Sequence, residues 1–313
     1  MNKKTISFAI ACFNEESNIF FTYDALKKIA DRYSEYDFEY VYVDNGSKDK
    51  TRELILKLAR TTKNIKGVFL SRNFGPESSG QAALDFATGD AVIPIECDLQ
   101  DPPEVICKFI QKWEEGSKVV VGIRAKLEDA FFMSKARRLF YHLFKKISNI
   151  DIPVNSGSYS LLDRKVVDAI KNMPEKYRFF RGLRAWVGFQ TAYVTYDRRS
   201  RKHGKSSYHF FDYIKHSERG IFGFSYLILD LLAYFGFLLV ILSFIFIFIY
   251  LLLFILLGNP IKGAVTILVS IIFFGGIQLL ATSIIGKYIQ VIVEETKARP
   301  TYIVDKVINA KIK

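Results

Sequence analysis

The chain has 313 residues, half of them hydrophobic, and 44 Lys and Arg against 32 Asp and Glu give a formal net charge of +12. Its three cysteines show neither CxxC nor paired spacing, which argues against a disulfide framework or a structural zinc site. Because the last third is apolar enough for a membrane, we attribute the basic excess to anionic membrane lipids or phosphorylated substrates. We expect no nucleic-acid partner.

Short apolar runs alternate with helical patterns in the first part of the chain. Strands are predicted at Ile6–Cys12, Phe38–Val43, Val68–Leu70, Ala91–Ile95 and Val119–Val121, with helices at about Ser17–Arg32, Asp49–Thr61, Gly80–Thr88 and Pro103–Glu115. This alternation predicts βαβ units on a mostly parallel sheet, an α/β Rossmann-like domain. Ligands bind such sheets at the carboxyl ends of the strands, so the loops after the strands are the candidate site.

Two basic amphipathic stretches follow the predicted sheet. Ala130–Ser148 places apolar residues on one helical face among Lys and Arg, a pattern that suits both a helix on the membrane surface and a helix packed on its own sheet. Tyr208–Phe224 is similar and leads directly into the apolar third of the chain. For this second stretch the position favours the membrane surface.

Two uncharged runs then occupy Leu231–Ile261 and Gly263–Gly286, with Lys262 between them. Crossing a bilayer takes ~20 apolar residues at helical rise, so each run is long enough. The pattern predicts a transmembrane helical hairpin; the alternative is a pair of helices in a soluble core. Lys and Arg concentrate before and after the hairpin, which predicts that both termini face the cytoplasm.

These patterns divide the chain into four parts. They are a cytoplasmic domain at 1–207, a juxtamembrane amphipathic segment at 208–226, two transmembrane helices within 227–290 and a basic cytoplasmic tail at 291–313. The predicted location is the inner (plasma) membrane, as a multi-pass protein. The amphipathic helices and the hairpin offer surfaces for self-association, which makes a homo-oligomer a candidate state.

The strongest chemical signal is an acid-x-acid triplet, Glu96-Cys97-Asp98, directly after a predicted strand. Two carboxylates at a strand end can approach one ion, and Mg²⁺ and Mn²⁺ prefer oxygen ligands that they share with substrate phosphates. Gln100 and Asp101 beside the triplet add acceptor oxygens. Such triplets also occur as plain surface turns.

A second acidic position, Asp44, ends a predicted strand before a Gly-Ser turn. Asp in such a place often caps a helix or forms a turn. Here Ser47 or Asp49 can cap the next helix, which leaves Asp44 available for a base or ribose contact.

A basic cluster runs from Arg198 to Ser206 and includes Arg201 and Lys205. Two interpretations are open: a solvated charge run that attracts anionic lipids, or a mobile loop that closes over a pyrophosphate. In the second, Arg would make bidentate phosphate contacts and Gly204 would give the backbone its freedom.

Seven motifs in this order resemble the family-2, GT-A-fold polyisoprenyl-phosphate glycosyltransferases, which include bactoprenol glucosyltransferases and dolichol-phosphate mannose synthases. The motifs are Phe13–Glu16, Val43–Thr51, Ser71–Gly75, Asp98–Glu104, Leu161–Arg164, Arg181–Phe189 and the Arg198…Arg201…Gly204…Ser206…Tyr208 series. The resemblance spans nearly the whole chain, and the bacterial type is similar in carrying a C-terminal two-helix hairpin.

The resemblance implies inverting transfer of one sugar, with glucose the first candidate, from a UDP-sugar to undecaprenyl phosphate, assisted by Mg²⁺ or Mn²⁺. It implies catalytic roles for Asp98, Ser158 and Arg201; nucleotide-sugar contacts for Asn14, Glu16, Asp44, Asn45, Arg72, Glu96 and Gln100; phosphate or acceptor contacts for Arg198, Arg201, Lys205 and Ser206; and metal contacts for Glu96, Asp98 and Gln100.

Two departures from the family pattern concern chemistry. Glu96 stands where the family has Asp, and Ser158 where many bacterial members have Asp. These departures leave two kinds of alternative open. One is transfer of another sugar: N-acetylhexosamine, mannose from GDP-mannose, or 4-amino-arabinose. The other is a non-catalytic relative that binds lipid or a partner.

Overall fold

The computed structural model of the chain describes residues 3–125, 152–153, 155–176, 178–200, 227–257 and 263–311. Both predicted amphipathic stretches, together with Arg201, Lys205 and Ser206, lie outside the described residues. The turn between the two apolar runs lies outside them as well.

Eight strands in the described residues form one sheet in the order β7-β5-β6-β4-β1-β2-β3-β8. Their bounds are β1 Lys4–Cys12, β2 Tyr36–Asp44, β3 Ile65–Leu70, β4 Ala91–Glu96, β5 Val119–Arg124, β6 Ser156–Asp163, β7 Thr191–Tyr196 and β8 Val304–Ile308. Only β6 and β8 run against the other strands. This confirms the predicted mostly parallel α/β sheet.

The described helices are α1 Ile19–Ala30, α2 Thr51–Thr61, α3 Pro76–Phe86, α4 Val105–Glu114, α5 Arg164–Asn172, α6 Phe180–Trp186, α7 Leu227–Leu257 and α8 Ala264–Thr296. Buried residues of α1, α2 and α4 form a core on one sheet face, and those of α3 and α5 form a second core on the other. The central strands are therefore covered on both sides. This explains why they read as nearly continuous apolar runs.

The sequence patterns located the first five strands to within a few residues but missed β6, β7 and β8. In β6 the run Ser156-Gly157-Ser158 carries no large apolar side chain, so it does not show the sequence pattern of a buried strand although Ser156 and Gly157 are buried. Strand β7 is an edge strand with an exposed face. Both gain their place from pairing with β5, which a local pattern does not encode.

Helices α7 and α8 contain segments that are long and apolar enough to cross a membrane, Leu231–Leu253 and Ser270–Thr296, judged by length and composition. Neither segment is buried against the rest of the chain. They agree with the two predicted apolar helices and indicate association with a membrane.

The segment after α8 returns to the sheet, which the prediction of a separate tail at 291–313 did not anticipate. Strand β8 pairs antiparallel with β3. The Tyr302 hydroxyl donates to Asp85 Oδ2 on α3 at 2.7 Å, and Asn309 Nδ2 donates to the carbonyl of Ile65 at 2.9 Å. Part of the predicted tail therefore belongs to the domain.

We predict that Gly67→Ala destabilises the protein by about 1–3 kcal/mol through overpacking. A Cβ at Gly67 would lie 2.7 Å from Ile308 Cγ2 on β8 and 3.1 Å from the Phe69 ring. The measurement is the unfolding temperature in detergent, followed by tryptophan fluorescence. Gly80→Ala on α3 is the control: a Cβ there meets no atom within 4 Å, so its unfolding temperature should not fall.

Candidate functional site

The loops after β1, β2, β3 and β4 meet at one edge of the sheet because these strands are parallel neighbours. The register pairs Cys12 with Asp44 and Ala11 with Glu96, which places the ends of β1, β2 and β4 nearly level. The polar residues that follow each strand therefore gather along one line, as the sequence predicted for a ligand site.

Asn14 and Glu16 tie the first loop to the second. Asn14 has a φ of 55°; its N–H donates to Ser47 Oγ at 2.9 Å, and its Oδ1 accepts from the N–H of Lys48 at 2.9 Å. Glu16 Oε2 accepts from the N–H of Lys50 at 3.0 Å. Both predicted site residues thus shape the rim of the cleft through backbone contacts.

Asp44 lies at the base of this rim and is fully buried. Its Oδ1 accepts from the N–H of Ser47 at 3.0 Å, so it does form the turn that its sequence position suggested. Its Oδ2 is buried and has no hydrogen-bond partner among the described residues. Burial raises the pKa of Asp44 above its ordinary value. A buried acceptor without a donor is costly, which makes this oxygen suited to a donor group on a ligand.

Asn45 and Arg72, both predicted to contact a nucleotide, are engaged within the protein. Asn45 Nδ2 donates to Asn73 Oδ1 at 3.1 Å and to the Gly75 carbonyl at 3.2 Å, while its Oδ1 accepts from the N–H of Phe74 at 3.0 Å. The guanidinium of Arg72 stacks over the Phe74 ring at 4.0 Å. Asn45 therefore braces the loop after β3.

Carboxylates crowd at the end of β4. Desolvation, followed by repulsion from Asp101 and Asp98, raises the pKa of Glu96 to about 7. A cation bound here would relieve the repulsion from Asp101 and Asp98. Asp98 Oδ1 accepts from the N–H of Gln100 at 3.1 Å, across a turn in which Leu99 has a φ of 52°.

Asp101 is the buried anchor of this loop, with 2% of its surface exposed. It accepts from the Tyr196 hydroxyl at 2.6 Å, and its Oδ1 lies 3.4 Å from Arg124 Nη2. These partners come from the ends of β7 and β5. Asp101 is thus committed to holding the loop, whereas Glu96 and Asp98 remain at the surface of the cleft.

Arg198 bridges the cluster from beyond β7. Its Nη2 donates to Gln100 Oε1 at 2.8 Å and lies 3.6 Å from Glu96 Oε2, and its Nε lies 3.7 Å from Asp101 Oδ1. That Nε is buried and makes no hydrogen bond in the described part of the chain. Gln100 Oε1, for which a metal contact is predicted, thus accepts a hydrogen bond from Arg198 in this structure, and its metal contact stays a prediction.

Within the described ranges, no group of three His, Cys, Asp or Glu side chains is arranged to hold a metal by itself. Glu96 and Asp98 nevertheless fit Mg²⁺ or Mn²⁺. Such an ion commonly takes one or two carboxylates and completes its shell with water and substrate phosphates. The mutual repulsion of the carboxylates marks the place where a cation would be stabilised.

Ser158 lies near the start of β6, which runs antiparallel to β5 and so begins at the same edge of the sheet. Its carbonyl accepts from Ser160 Oγ at 2.9 Å, and its hydroxyl makes no hydrogen bond with any described residue. Successive residues of a strand face opposite sides, so Ser158 faces away from the side on which Gly157 meets Arg124. Ser158 therefore lies at the sheet edge where β5 ends and makes no hydrogen bond to Glu96 or Asp98 among the described residues, and its catalytic role stays a prediction.

The predictions from sequence did not include roles for Arg124 and Tyr196. Arg124 ends β5, so the rule that sites gather at the carboxyl ends of strands could have found it. Tyr196 ends β7, a strand that was not predicted. Both position Asp101.

We predict that Asp101→Asn lowers stability by about 3 kcal/mol, because it leaves the largely buried Arg124 guanidinium without a charged partner. Tyr196→Phe removes only a hydroxyl from the same oxygen and should cost about 1 kcal/mol. Unfolding temperatures of both variants in detergent give the comparison. Equal losses would contradict an ion pair at the centre of this brace.

Comparison with known proteins identifies the family of the chain. A model described as glycosyl transferase family 2 matches residues 7–171. The Bacillus subtilis protein described as uncharacterized glycosyltransferase YkcC is 39% identical over 301 residues, covering 96% of this chain and 93% of that relative. The bactoprenol glucosyl transferase of Shigella phage SfX is 38% identical over 300 residues, covering 96% and 98% respectively. A mannosyltransferase from Pyrobaculum calidifontis, solved with GDP-Man and Mn²⁺, is 16% identical with a TM-score of 0.48, covering 71% of this chain and 64% of that one. The chain belongs to glycosyl transferase family 2 and is a glycosyltransferase.

Proposed function

We propose that the protein transfers a single sugar from a UDP-sugar to a polyprenyl phosphate, with inversion at the anomeric carbon. Glucose is the proposed sugar and undecaprenyl phosphate the proposed acceptor. The observation that carries the proposal is the group of crowded carboxylates, Glu96 and Asp98, on the same sheet edge as the unpaired buried oxygen of Asp44. The diphosphate of such a donor needs a cation, and its base needs a hydrogen-bond acceptor.

The choice of acceptor is supported by relatives that are named bactoprenol glucosyl transferase. The similarity to the Shigella phage SfX protein covers 96% of this chain, so it extends beyond residues 7–171 into the apolar helices. A lipid-linked acceptor also suits a domain that is followed by two segments able to cross a membrane. We place the catalytic domain and both termini on the cytoplasmic side of the inner membrane, since Lys and Arg flank the hairpin.

In the donor site, we propose that Asp44 Oδ2 accepts a hydrogen bond from the nucleotide base. Asn14 and Glu16 shape the loop above it. Glu96 and Asp98 would hold Mg²⁺ or Mn²⁺. When bound, that ion supplies charge compensation for the departing nucleoside diphosphate.

The acceptor phosphate must be positioned but does not need to lose a proton to a catalytic base. A phosphate monoester has a second pKa of ~6 and is anionic near neutral pH. Arg198, which already spans Gln100 and Glu96, is proposed to contact donor or acceptor phosphate, together with Arg201, Lys205 and Ser206 from the neighbouring segment. Ser158 is proposed to orient the acceptor, because a serine hydroxyl without a basic partner is a poor general base.

Asp98→Ala should lower transfer by on the order of a hundredfold or more, because it removes a carboxylate from the proposed cation site. The assay mixes purified protein, radiolabelled UDP-glucose, undecaprenyl phosphate and Mg²⁺ or Mn²⁺, and counts label in the lipid phase. Asp37→Ala is the matched control: this exposed carboxylate lies at the opposite end of β2 and should leave transfer unchanged. Near-normal transfer by Asp98→Ala would remove the cation assignment.

The donor sugar is tested with the same assay and a panel of UDP-glucose, UDP-N-acetylhexosamines, UDP-4-amino-arabinose and GDP-mannose. We expect the largest ratio of kcat to KM for UDP-glucose. A clear preference for another donor would replace glucose and leave the lipid acceptor standing. Absence of transfer from every donor would overturn the proposed reaction.

Asp44→Asn should lower UDP affinity without lowering the unfolding temperature. It exchanges the unpaired oxygen for a donor, so UDP affinity measured by calorimetry should fall roughly tenfold to a hundredfold. Because burial raises the pKa of Asp44, its charge costs stability above the ordinary Asp pKa of about 4 and costs nothing in acid. The unfolding temperature of the variant at neutral pH should therefore be no lower than that of the wild type.

Asp49→Asn is the control for this pair of measurements. Its carboxylate accepts from the N–H of Thr51 and from that of Glu16. It should lower the unfolding temperature with little effect on UDP affinity. The same pattern from Asp44→Asn would mean that Asp44 serves the turn alone.

A further inference from the structure

A polar pocket of about 290 Å³ lies where the end of α8 meets the catalytic domain. It is lined by the first turn of α3, by the segment before α6 and by the residues that follow α8. Four basic side chains contribute to it, Lys176, Arg178, Lys297 and Arg299, with Ser78 beside them. The donor site described above does not use any of these residues.

The side chains that line the pocket keep a net positive charge. Two carboxylates, Glu77 and Glu294, also line it and offset half of the basic charge. A third, Glu295, lies beside them and accepts from the backbone N–H of Lys176 at 2.8 and 2.9 Å. Glu77 Oε2 accepts from the backbone N–H of Phe180 at 3.0 Å. None of the four basic side chains forms an ion pair with a carboxylate in the part of the chain that is described.

A second feature of the pocket favours an anion independently of the side chains. Helix α3 begins at Pro76, and its N-cap, Gly75, provides no side-chain hydrogen bond to the first turn. The first turn of a helix carries backbone N–H groups without intrahelical partners and a partial positive charge. Ser78 of this turn lines the pocket.

Hydrogen bonds within the protein connect the two walls of the pocket. Arg178 donates to Gln81 Oε1 at 2.7 Å and to the Met173 carbonyl at 2.6 Å, and Gln81 Nε2 donates to Asp85 Oδ1 at 2.8 Å. Asp85 in turn accepts from Tyr302, which lies beyond α8. This chain of contacts holds both walls of the pocket in place, so little ordering is needed when an anion binds.

The position of the pocket near the end of α8 indicates which anion binds there. The second uncharged run ends at Gly286, and the segment judged able to cross a membrane ends at Thr296, so Lys297 and Arg299 follow the end of the apolar part of α8. Lipid phosphates lie just outside the hydrocarbon core, where basic residues attract anionic headgroups. We propose that this pocket binds the phosphate of an anionic membrane lipid whose acyl chains lie along α8. The inference rests on the membrane placement of α8 in the proposed function and is independent of the sugar transferred.

The test is equilibrium binding of a short-chain fluorescent phosphatidylglycerol to the full-length protein in neutral detergent, with the matching phosphatidylcholine as zwitterionic probe. The wild type should prefer phosphatidylglycerol. Lys297→Gln with Arg299→Gln should weaken that binding roughly tenfold. Lys28→Gln with Lys108→Gln removes the same charge from α1 and α4, on the opposite sheet face, and should leave it unchanged.

A second variant guards against a folding defect. Ser78→Asp keeps every basic residue and suits the first turn of a helix. It should retain the wild-type unfolding temperature while weakening phosphatidylglycerol binding. Unchanged binding in both pocket variants would overturn the proposal.

A competition arm distinguishes lipid from soluble phosphate. Inorganic phosphate should displace the probe only at concentrations far above that of the lipid. Displacement at comparable concentrations would overturn the lipid as occupant. Because no sugar donor or acceptor is present, failure of the proposed transfer reaction would not alter any of these readings.

Discussion

The site depends on a concentration of negative charge at the end of β4. Glu96, Asp98 and Asp101 lie close enough that repulsion contributes to raising the pKa of Glu96 to about 7. Such crowding is unfavourable for folding unless a cation compensates it. Asp101 is compensated internally by Arg124. Arg198 lies 3.6 Å from Glu96, and Glu96 and Asp98 lie at the sheet edge where the proposed reaction needs a cation.

The fold meets this constraint by joining elements that are distant in sequence. Tyr196 donates to Asp101 from 95 residues away, and Gln100 meets Arg198 across a separation of 98 residues. On the other side of the cleft, Asn45 braces the loop after β3. These contacts fix the rim before any ligand arrives, so binding need not order the loops.

The same sheet is joined to the apolar helices at its far edge. Strand β8 follows α8 closely and pairs with β3, and Tyr302 reaches Asp85 on α3. Helix α3 also begins directly after the loop that Asn45 braces. The exit of the second apolar helix is therefore connected to the donor side of the cleft through a few short contacts. In the proposed reaction this would keep the cleft at a fixed height above the lipid carrier.

Local sequence determined the alternation of strands and helices, the two apolar segments and the polar loops at the strand ends, because periodicity and composition are encoded within a few residues. It named Asp44, Glu96 and Asp98 correctly as residues of one sheet edge. Only the tertiary structure decided that one oxygen of Asp44 has no hydrogen-bond partner among the described residues, while Asn45 serves as a brace. It also decided that part of the predicted tail becomes β8. These outcomes depend on hydrogen bonds between residues far apart in the chain, and no local pattern specifies which partner a polar side chain will meet.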